Sequence, residues 1–135
     1  MFDKYVGISP KGDLTLLQLL GEKLNGKSFL HVNSTREGGG VAEILQRMIP
    51  MLGELGINAR WEVIEGDTQF YDITKKIHNA LQGNPDEITE DMWSYHFEVN
   101  RRNTEKINFE SDAVLIHDPQ PIPLIDFRKT GVWIW

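Results

Sequence analysis

The sequence predicts an α/β domain in three layers, with helices on both sides of a mainly parallel β-sheet. First, short apolar runs at residues 27–33 and 112–117 are bounded by glycine or polar residues, which is typical of strands buried on both faces. Second, segments with helical spacing of apolar residues alternate with the predicted strands. Third, 135 residues is about the length of one domain with its own core.

The N-terminal part of the chain, residues 1–26, is expected to be helical. Leucines recur at helical spacing along residues 13–25, so the pattern predicts a first helix there. Asp13 is the expected N-cap of this helix, and Gly26 is its expected end.

The next segment has the pattern of one βαβ unit. A strand at residues 27–33 leads into three glycines, a helix at residues 41–55 and a second strand at residues 58–65. Such units pair their strands in parallel and cross over with a right hand. Pro50 lies inside the helix, where its missing N–H group and its ring predict a kink.

The second half of the chain continues the alternation. The predicted elements are a helix at residues 72–82, a longer polar helix at 86–108, a buried strand at 112–117, a short helix at 121–129 and a fourth strand at 132–135. The fourth strand ends in Trp-Ile-Trp, residues 133–135. This apolar end fits a strand inside the sheet, or one covered by further chain, a partner or a second copy in a homodimer.

The composition excludes several classes of function. A formal net charge of -6 argues against binding to nucleic acid or to acidic membranes, because both carry negative charge. The chain has no cysteine, and its histidines at positions 31, 78, 96 and 117 lack the spacing of metal ligands, so we expect no metal site. No signal peptide or long apolar stretch is found, so the expected location is the cytoplasm.

The glycine triplet, residues 38–40, lies between a strand and a helix, where backbone N–H groups and the helix dipole favour an anion such as phosphate. Val41 stands where the P-loop motif needs lysine, and Glu43 stands at the third glycine of the dinucleotide motif. Glu65 resembles the acid that binds ribose in dinucleotide sites, so a nicotinamide-dependent oxidoreductase remains a weak alternative, although no cofactor is expected. The other interpretation is a loop that only connects strand and helix.

A second group of polar residues follows the strand at residues 112–117. His117, Asp118 and Gln120 combine donors and acceptors suited to sugar hydroxyls, and two prolines stiffen the turn that carries them. The alternative is structural, with His117 bonded to backbone and Asp118 acting as a helix N-cap.

Weaker candidates lie on the predicted helices. His78 and Asn79 lie on the helix that follows the second strand. Because His78 adjoins an apolar stripe, we interpret it as a packed histidine more than as a ligand. Arg101 and Arg102 are interpreted as a solvated face that balances the many acids, and His96 as structural.

Four stretches carry a resemblance to a known family. They are HVNSTREGGGVAEIL at 31–45, GINARWEVIEG at 56–66, ITKKIHNALQG at 73–83 and DAVLIHDPQP at 112–121. In this order they resemble the N-terminal half of retaining GT-B glycosyltransferases, specifically the group of trehalose synthase (trehalose glycosyltransferring synthase) and trehalose phosphorylase. The resemblance implies a Rossmann-like domain that faces a second such domain across a cleft.

The resemblance also implies an activity, the transfer of glucose from a nucleotide-glucose donor to glucose, or the reverse. Gly38, Gly39 and Gly40 would then face the donor phosphates. His117, Asp118 and Gln120 would line the sugar pocket. Asn33 and Glu43 would be their neighbours, an assignment that the resemblance supports less strongly.

The family's C-terminal donor-binding domain has no counterpart in this sequence. Near the glycine loop only Arg36 offers the positive charge that a leaving diphosphate needs. We therefore expect half an active site, with no catalytic residue of its own and no activity without a C-terminal domain or partner chain. The alternative is a stand-alone sugar- or nucleotide-binding or oligomerisation module without catalysis.

Overall fold

A computed structural model describes residues 3–10 and 12–135 of the chain. Its helices are α1 (Asp13–Leu24), α2 (Gly40–Glu54), α3 (Thr68–Leu81) and α4 (Glu90–Asn103). Its strands are β1 (Ser28–Asn33), β2 (Asn58–Val63), β3 (Ala113–Ile116) and β4 (Val132–Ile134). Short 3-10 helices cover Asp3–Tyr5 and Ile122–Phe127.

The four strands form one sheet in the order β2-β1-β3-β4, and all three pairings are parallel. The predicted α/β class with a parallel, Rossmann-like sheet flanked by helices is therefore confirmed. The central strand β1 is buried along residues 30–33, as its apolar sequence predicts.

The main core lies on one face of the sheet. Side chains alternate between the two faces of a strand, so Leu30 and Val32 point to the same side. They join Val114 and Ile116 of β3 in a buried cluster completed by Phe70, Val99, Ile64, Ile107 and Leu124. The alternate residues of β1, His31 and Asn33, face the other side of the sheet, and both are buried.

Three helices differ from the prediction at one or both ends. Gly12, with a φ of 97°, is the N-cap of α1, so Asp13 is the first helical residue and not the cap. Helix α3 begins at Thr68, earlier than predicted, because the Asp67 side chain accepts a hydrogen bond from the Phe70 N–H at 2.9 Å. The longer polar helix is shorter than predicted, because Thr89 caps α4 at its start and Thr104 follows its last residue.

Strand β4 lies at the edge of the sheet and pairs only with β3 among the described residues. The interpretation as a strand inside the sheet is therefore wrong. Trp133 packs against the core, whereas Val132, Ile134 and Trp135 are exposed. Pro50 lies within α2 as predicted, and the kink and the right-handed crossover stay predictions.

Within the described ranges, no helix has the length and apolar character needed to cross a membrane. The same residues contain no group of three or more histidine, aspartate or glutamate side chains placed to hold a metal ion.

Candidate functional site

The candidate site lies at the carboxyl edge of the sheet, between the ends of β1 and β3. The chain leaves β1 towards β2 on one side, while β3 lies on the other side, so the strand order reverses between β1 and β3. Open α/β sheets bind ligands at such a switch point, because the loops from the two strands diverge there. The His117 N–H donates to the Val32 carbonyl at 2.8 Å, which extends the pairing of β1 with β3 to this edge.

The glycine loop forms the start of α2. Gly38 and Gly39 have φ angles of 73° and 87°, a region that residues with side chains rarely adopt, and Gly40 is the first residue of the helix. No side chain caps α2, whereas Asp67 caps α3 and Thr89 caps α4. A Cβ atom on any of the three glycines would meet nothing within 4 Å. Open space therefore lies beside the backbone of these three glycines.

The segment before the glycines is held in place by β2. Asn33 is fully buried, and its side-chain amide donates to the Thr35 carbonyl while its oxygen accepts from the Trp61 indole, both at 2.8 Å. The Arg36 guanidinium lies 4.5 Å from the Trp61 ring centre and donates to the Trp61 carbonyl at 2.6 Å. Asn33 and Arg36 thus anchor the loop through Trp61.

His117 is half-buried and bonds to a second histidine. Its Nε2 lies 3.0 Å from Nδ1 of His31, which is buried behind it. Burial lowers the pKa of His31 to about 4, and the nearby His117 ring contributes in the same direction. Burial also lowers the pKa of His117, against an opposing effect of the Asp118 carboxylate. Both rings are therefore neutral near pH 7.

The turn after His117 is fixed by its backbone. Asp118 has a positive φ of 69°, and its carbonyl accepts from the Trp135 indole at 3.3 Å. The N-cap position of the following 3-10 helix is Pro121, so the alternative role of Asp118 as an N-cap is wrong.

The Gln120 carbonyl accepts from His96 at 2.8 Å and from Asn100 at 3.0 Å, both on α4. His96 is buried, which confirms its structural interpretation. The Gln120 side-chain oxygen is enclosed and has no hydrogen-bond partner among the described residues.

The weaker candidates lie elsewhere. Glu43 is exposed in the first turn of α2, close in sequence to the glycine loop. His78 and Asn79 belong to the last turn of α3, about 15 Å along the helix from its start at the carboxyl edge. His78 is exposed, so its interpretation as a packed histidine is wrong.

Two further charged groups have local partners. Glu65 pairs with Lys106 at the surface, and its backbone N–H and carbonyl both bond to the Asn103 side chain. Arg101 pairs with Glu98 and Glu105, which confirms the interpretation as a solvated, charged face.

Sequence reasoning missed the contribution of His31 to this site. The sequence did contain an indication of this role, because β1 and β3 were both predicted as buried parallel strands and each carries a histidine near its end. The missing information was the order of the strands, which places β1 directly beside β3, with His31 opposite Leu115.

Comparison with known proteins identifies the family to which the chain is similar. A family profile described as "Trehalose synthase, N-terminal domain" matches residues 31–135. Trehalose synthase from Pyrococcus horikoshii is 49% identical over 136 residues, which cover 98% of this chain and 33% of the relative. Trehalose synthase from Thermococcus litoralis is 51% identical over 125 residues, covering 90% and 30% of the two chains.

A more distant relative, trehalose synthase from Rubrobacter xylanophilus, is 38% identical over 126 residues, covering 88% of this chain and 30% of the relative. The chain thus spans about a third of the length of these relatives. Because the profile covers most of the sequence and includes both loops of the candidate site, the chain belongs to the family of trehalose synthase N-terminal domains.

Proposed function

We propose that the chain forms the acceptor-side wall of a sugar-transfer site, as the N-terminal domain of a retaining GT-B glycosyltransferase. The reaction is the transfer of glucose from a nucleotide-glucose donor to glucose, which gives trehalose. One observation carries the proposal: the uncapped glycine-lined start of α2 and the His117–Asp118 turn follow the carboxyl ends of two adjacent strands, at the switch point of the sheet.

The glycine loop is suited to the donor phosphates. The first N–H groups of α2 have no side-chain acceptor, and the positive end of the helix dipole favours an anion there. The absence of side chains at residues 38–40 lets phosphate oxygens approach the backbone closely. This loop would bind the diphosphate, while the neighbouring turn binds the sugar.

The turn after β3 is suited to sugar hydroxyls. A neutral His117 offers one donor or acceptor on Nδ1, and the Asp118 carboxylate accepts hydrogen bonds. Gln120 holds this turn through its backbone, and Asn33 holds the glycine loop through Trp61. In this proposal His117 and Asp118 contact the acceptor directly, whereas Gln120 and Asn33 shape the pocket.

Among the described residues, the site offers little of the positive charge that the chemical step requires. A leaving diphosphate is stabilised by cations aimed at its developing charge. Arg36, the cation beside the loop, already donates to the Trp61 carbonyl and lies near the Glu62 carboxylate at 3.9 Å. We therefore propose that turnover needs a further domain, in line with the greater length of the relatives.

Calorimetry with ADP, UDP, glucose and trehalose tests binding by this chain. Gly40→Ala is the informative variant, because its Cβ meets nothing within 4 Å and the residue has no positive φ, so folding should be unaffected. We expect it to weaken diphosphate binding about tenfold or more by blocking close approach to the backbone. Gly53→Ala, near the other end of α2, is the matched control and should bind like wild type.

Two results would contradict the proposal. Equal diphosphate affinity in Gly40→Ala and wild type would remove the glycine loop from the binding site. Substantial trehalose formation from nucleotide-glucose and glucose by this chain alone would disprove the proposal that turnover needs a further domain.

A second candidate is a non-catalytic module that associates through β4. It is favoured by the edge position of β4, where Val132, Ile134 and Trp135 are 61%, 50% and 73% exposed. Light scattering on wild type and Trp135→Ser separates the two proposals. This candidate would be favoured if wild type forms a dimer that binds no sugar or nucleotide and if Trp135→Ser is a monomer.

A further inference from the structure

His31 is a buried histidine whose hydrogen bonding is incomplete. It is 1% exposed and lies on the face of β1 opposite the main core. Its Nδ1 contacts His117, while its Nε2 is enclosed and lacks a hydrogen-bond partner among the described residues. A buried polar ring carries a desolvation penalty, and an apolar residue would avoid it. Its single contact with the candidate site therefore requires an explanation.

The contact between the two rings has the geometry of a directed hydrogen bond. The nitrogen atoms are 3.0 Å apart, the ring planes differ by only 12°, and the ring centres are 5.3 Å apart. With nearly parallel planes and a centre separation much longer than the nitrogen distance, the bond lies close to the ring planes. An imidazole N–H and an imidazole lone pair both point in that plane, so one ring donates to the other.

The surroundings decide which ring donates. If His117 donated from Nε2, His31 would carry its own proton on Nε2 as a buried N–H group without an acceptor. If His31 donates from Nδ1, its Nε2 keeps only an unused lone pair, and orphaned buried N–H groups are the rarer case in proteins. The second arrangement requires His117 to carry its proton on Nδ1. That atom is not enclosed, and it has no hydrogen-bond partner in the part of the chain that the structure describes.

We propose that His31 is a positioning residue, which fixes the ring orientation and tautomer of His117 so that Nδ1–H is presented to a sugar hydroxyl oxygen. The inference rests on the proposed function and assigns a partner to its central residue. The His117 N–H donates, and the adjacent Asp118 carboxylate accepts. This donor and acceptor pair matches two neighbouring hydroxyl groups, each of which can accept one hydrogen bond and donate another.

The electrostatics of the pair support this arrangement. Burial lowers the pKa of His31 and of His117, so each ring carries a single proton near pH 7, as the tautomer assignment requires. The Asp118 carboxylate acts in the opposite direction on His117, since a negative charge favours protons on that ring. Asp118 thus limits how far the pKa of His117 falls.

Long-range proton–nitrogen NMR spectra of the ligand-free chain test the inference, because they distinguish the two tautomers of each histidine. In wild type we expect His117 as the Nδ1–H tautomer. In His31→Phe the side chain remains a planar ring but loses the donor, so His117 should shift towards the Nε2–H form. In His31→Asn the side-chain amide can replace the Nδ1 donor, so His117 should remain in the Nδ1–H form.

Glucose affinity, measured by calorimetry on the same proteins, should follow the tautomer. We expect binding about tenfold weaker in His31→Phe and near wild type in His31→Asn. An Nε2–H tautomer of His117 in wild type, or an unchanged tautomer in His31→Phe, would overturn the inference; the first result needs no variant to fold. If the tautomers behave as expected but wild type binds no sugar, the proposed function fails instead.

Discussion

Acid should destabilise this fold through His31 in particular. His31 is buried, and its pKa falls to about 4 from an ordinary value of 6.5. As the pH drops below 6.5, the unfolded chain binds a proton on this residue while the folded chain does not. The free energy of unfolding therefore decreases from about pH 6.5 downwards, and this contribution levels off near pH 4.

The size of the effect follows from the change in pKa. Each pKa unit corresponds to 1.36 kcal/mol, so His31 accounts for a loss of about 3 kcal/mol between pH 6.5 and 4. That is a large share of the roughly 5–15 kcal/mol by which small domains are stable. His96 and His117 also have lowered pKa values through burial and act in the same direction.

Urea unfolding at a series of pH values measures this contribution. Comparing wild type with His31→Phe isolates His31, because His96 and His117 are present in both proteins. We expect wild type to lose about 3 kcal/mol more than the variant over this pH range. Parallel pH profiles for the two proteins would show that His31 titrates normally and would refute the buried, neutral histidine pair.

Three further substitutions test the packing and the helix ends, each by urea unfolding at pH 7. Phe70→Ala removes a fully buried ring from the core and should lower the free energy of unfolding by about 3–5 kcal/mol; a change below 1 kcal/mol would contradict the core assignment. Gly66→Ala places a Cβ in overlap with the Phe70 ring and should cost about 1–3 kcal/mol, whereas the control Gly53→Ala, in an open helical position, should be neutral or stabilising. Thr89→Ala removes the cap that accepts from the Met92 N–H and should cost about 1 kcal/mol, and an unchanged stability would show that this cap contributes little.

The elements of the fold were predictable where local chemistry and tertiary packing agree. Strands β1 and β3 are short apolar runs with clear boundaries, and their burial confirms the pattern. Helix α3 was predicted to start late, because the apolar stripe begins after the Asp67 cap that sets its first turn. The position of β4 depends on which strands pair, and the local sequence of a three-residue strand does not contain that information.

The candidate site was predictable to the level of its loops. Parallel strands alone bring the glycine loop and the His117 turn to one edge, so their proximity followed from the βαβ pattern. The hydrogen-bond partners of the residues in these loops could not be predicted from that pattern. Asn33 is bonded to Trp61 and His117 to His31 through side chains on neighbouring strands, and both contacts depend on strand order and register.

In the proposed function, the glycine loop and His117 form one wall of a sugar-transfer cleft. The most direct test is an NMR titration of the isotope-labelled chain with ADP or UDP together with glucose. We expect the amide signals of residues 38–42 and the ring signals of His117 to shift together. A cleft of about 500 Å³ beside Phe109 and Trp133, away from the glycine loop, serves as the internal control and should not respond. Shifts centred on that cleft, or none at the glycine loop and His117, would show that the glycine loop and His117 do not form the binding site.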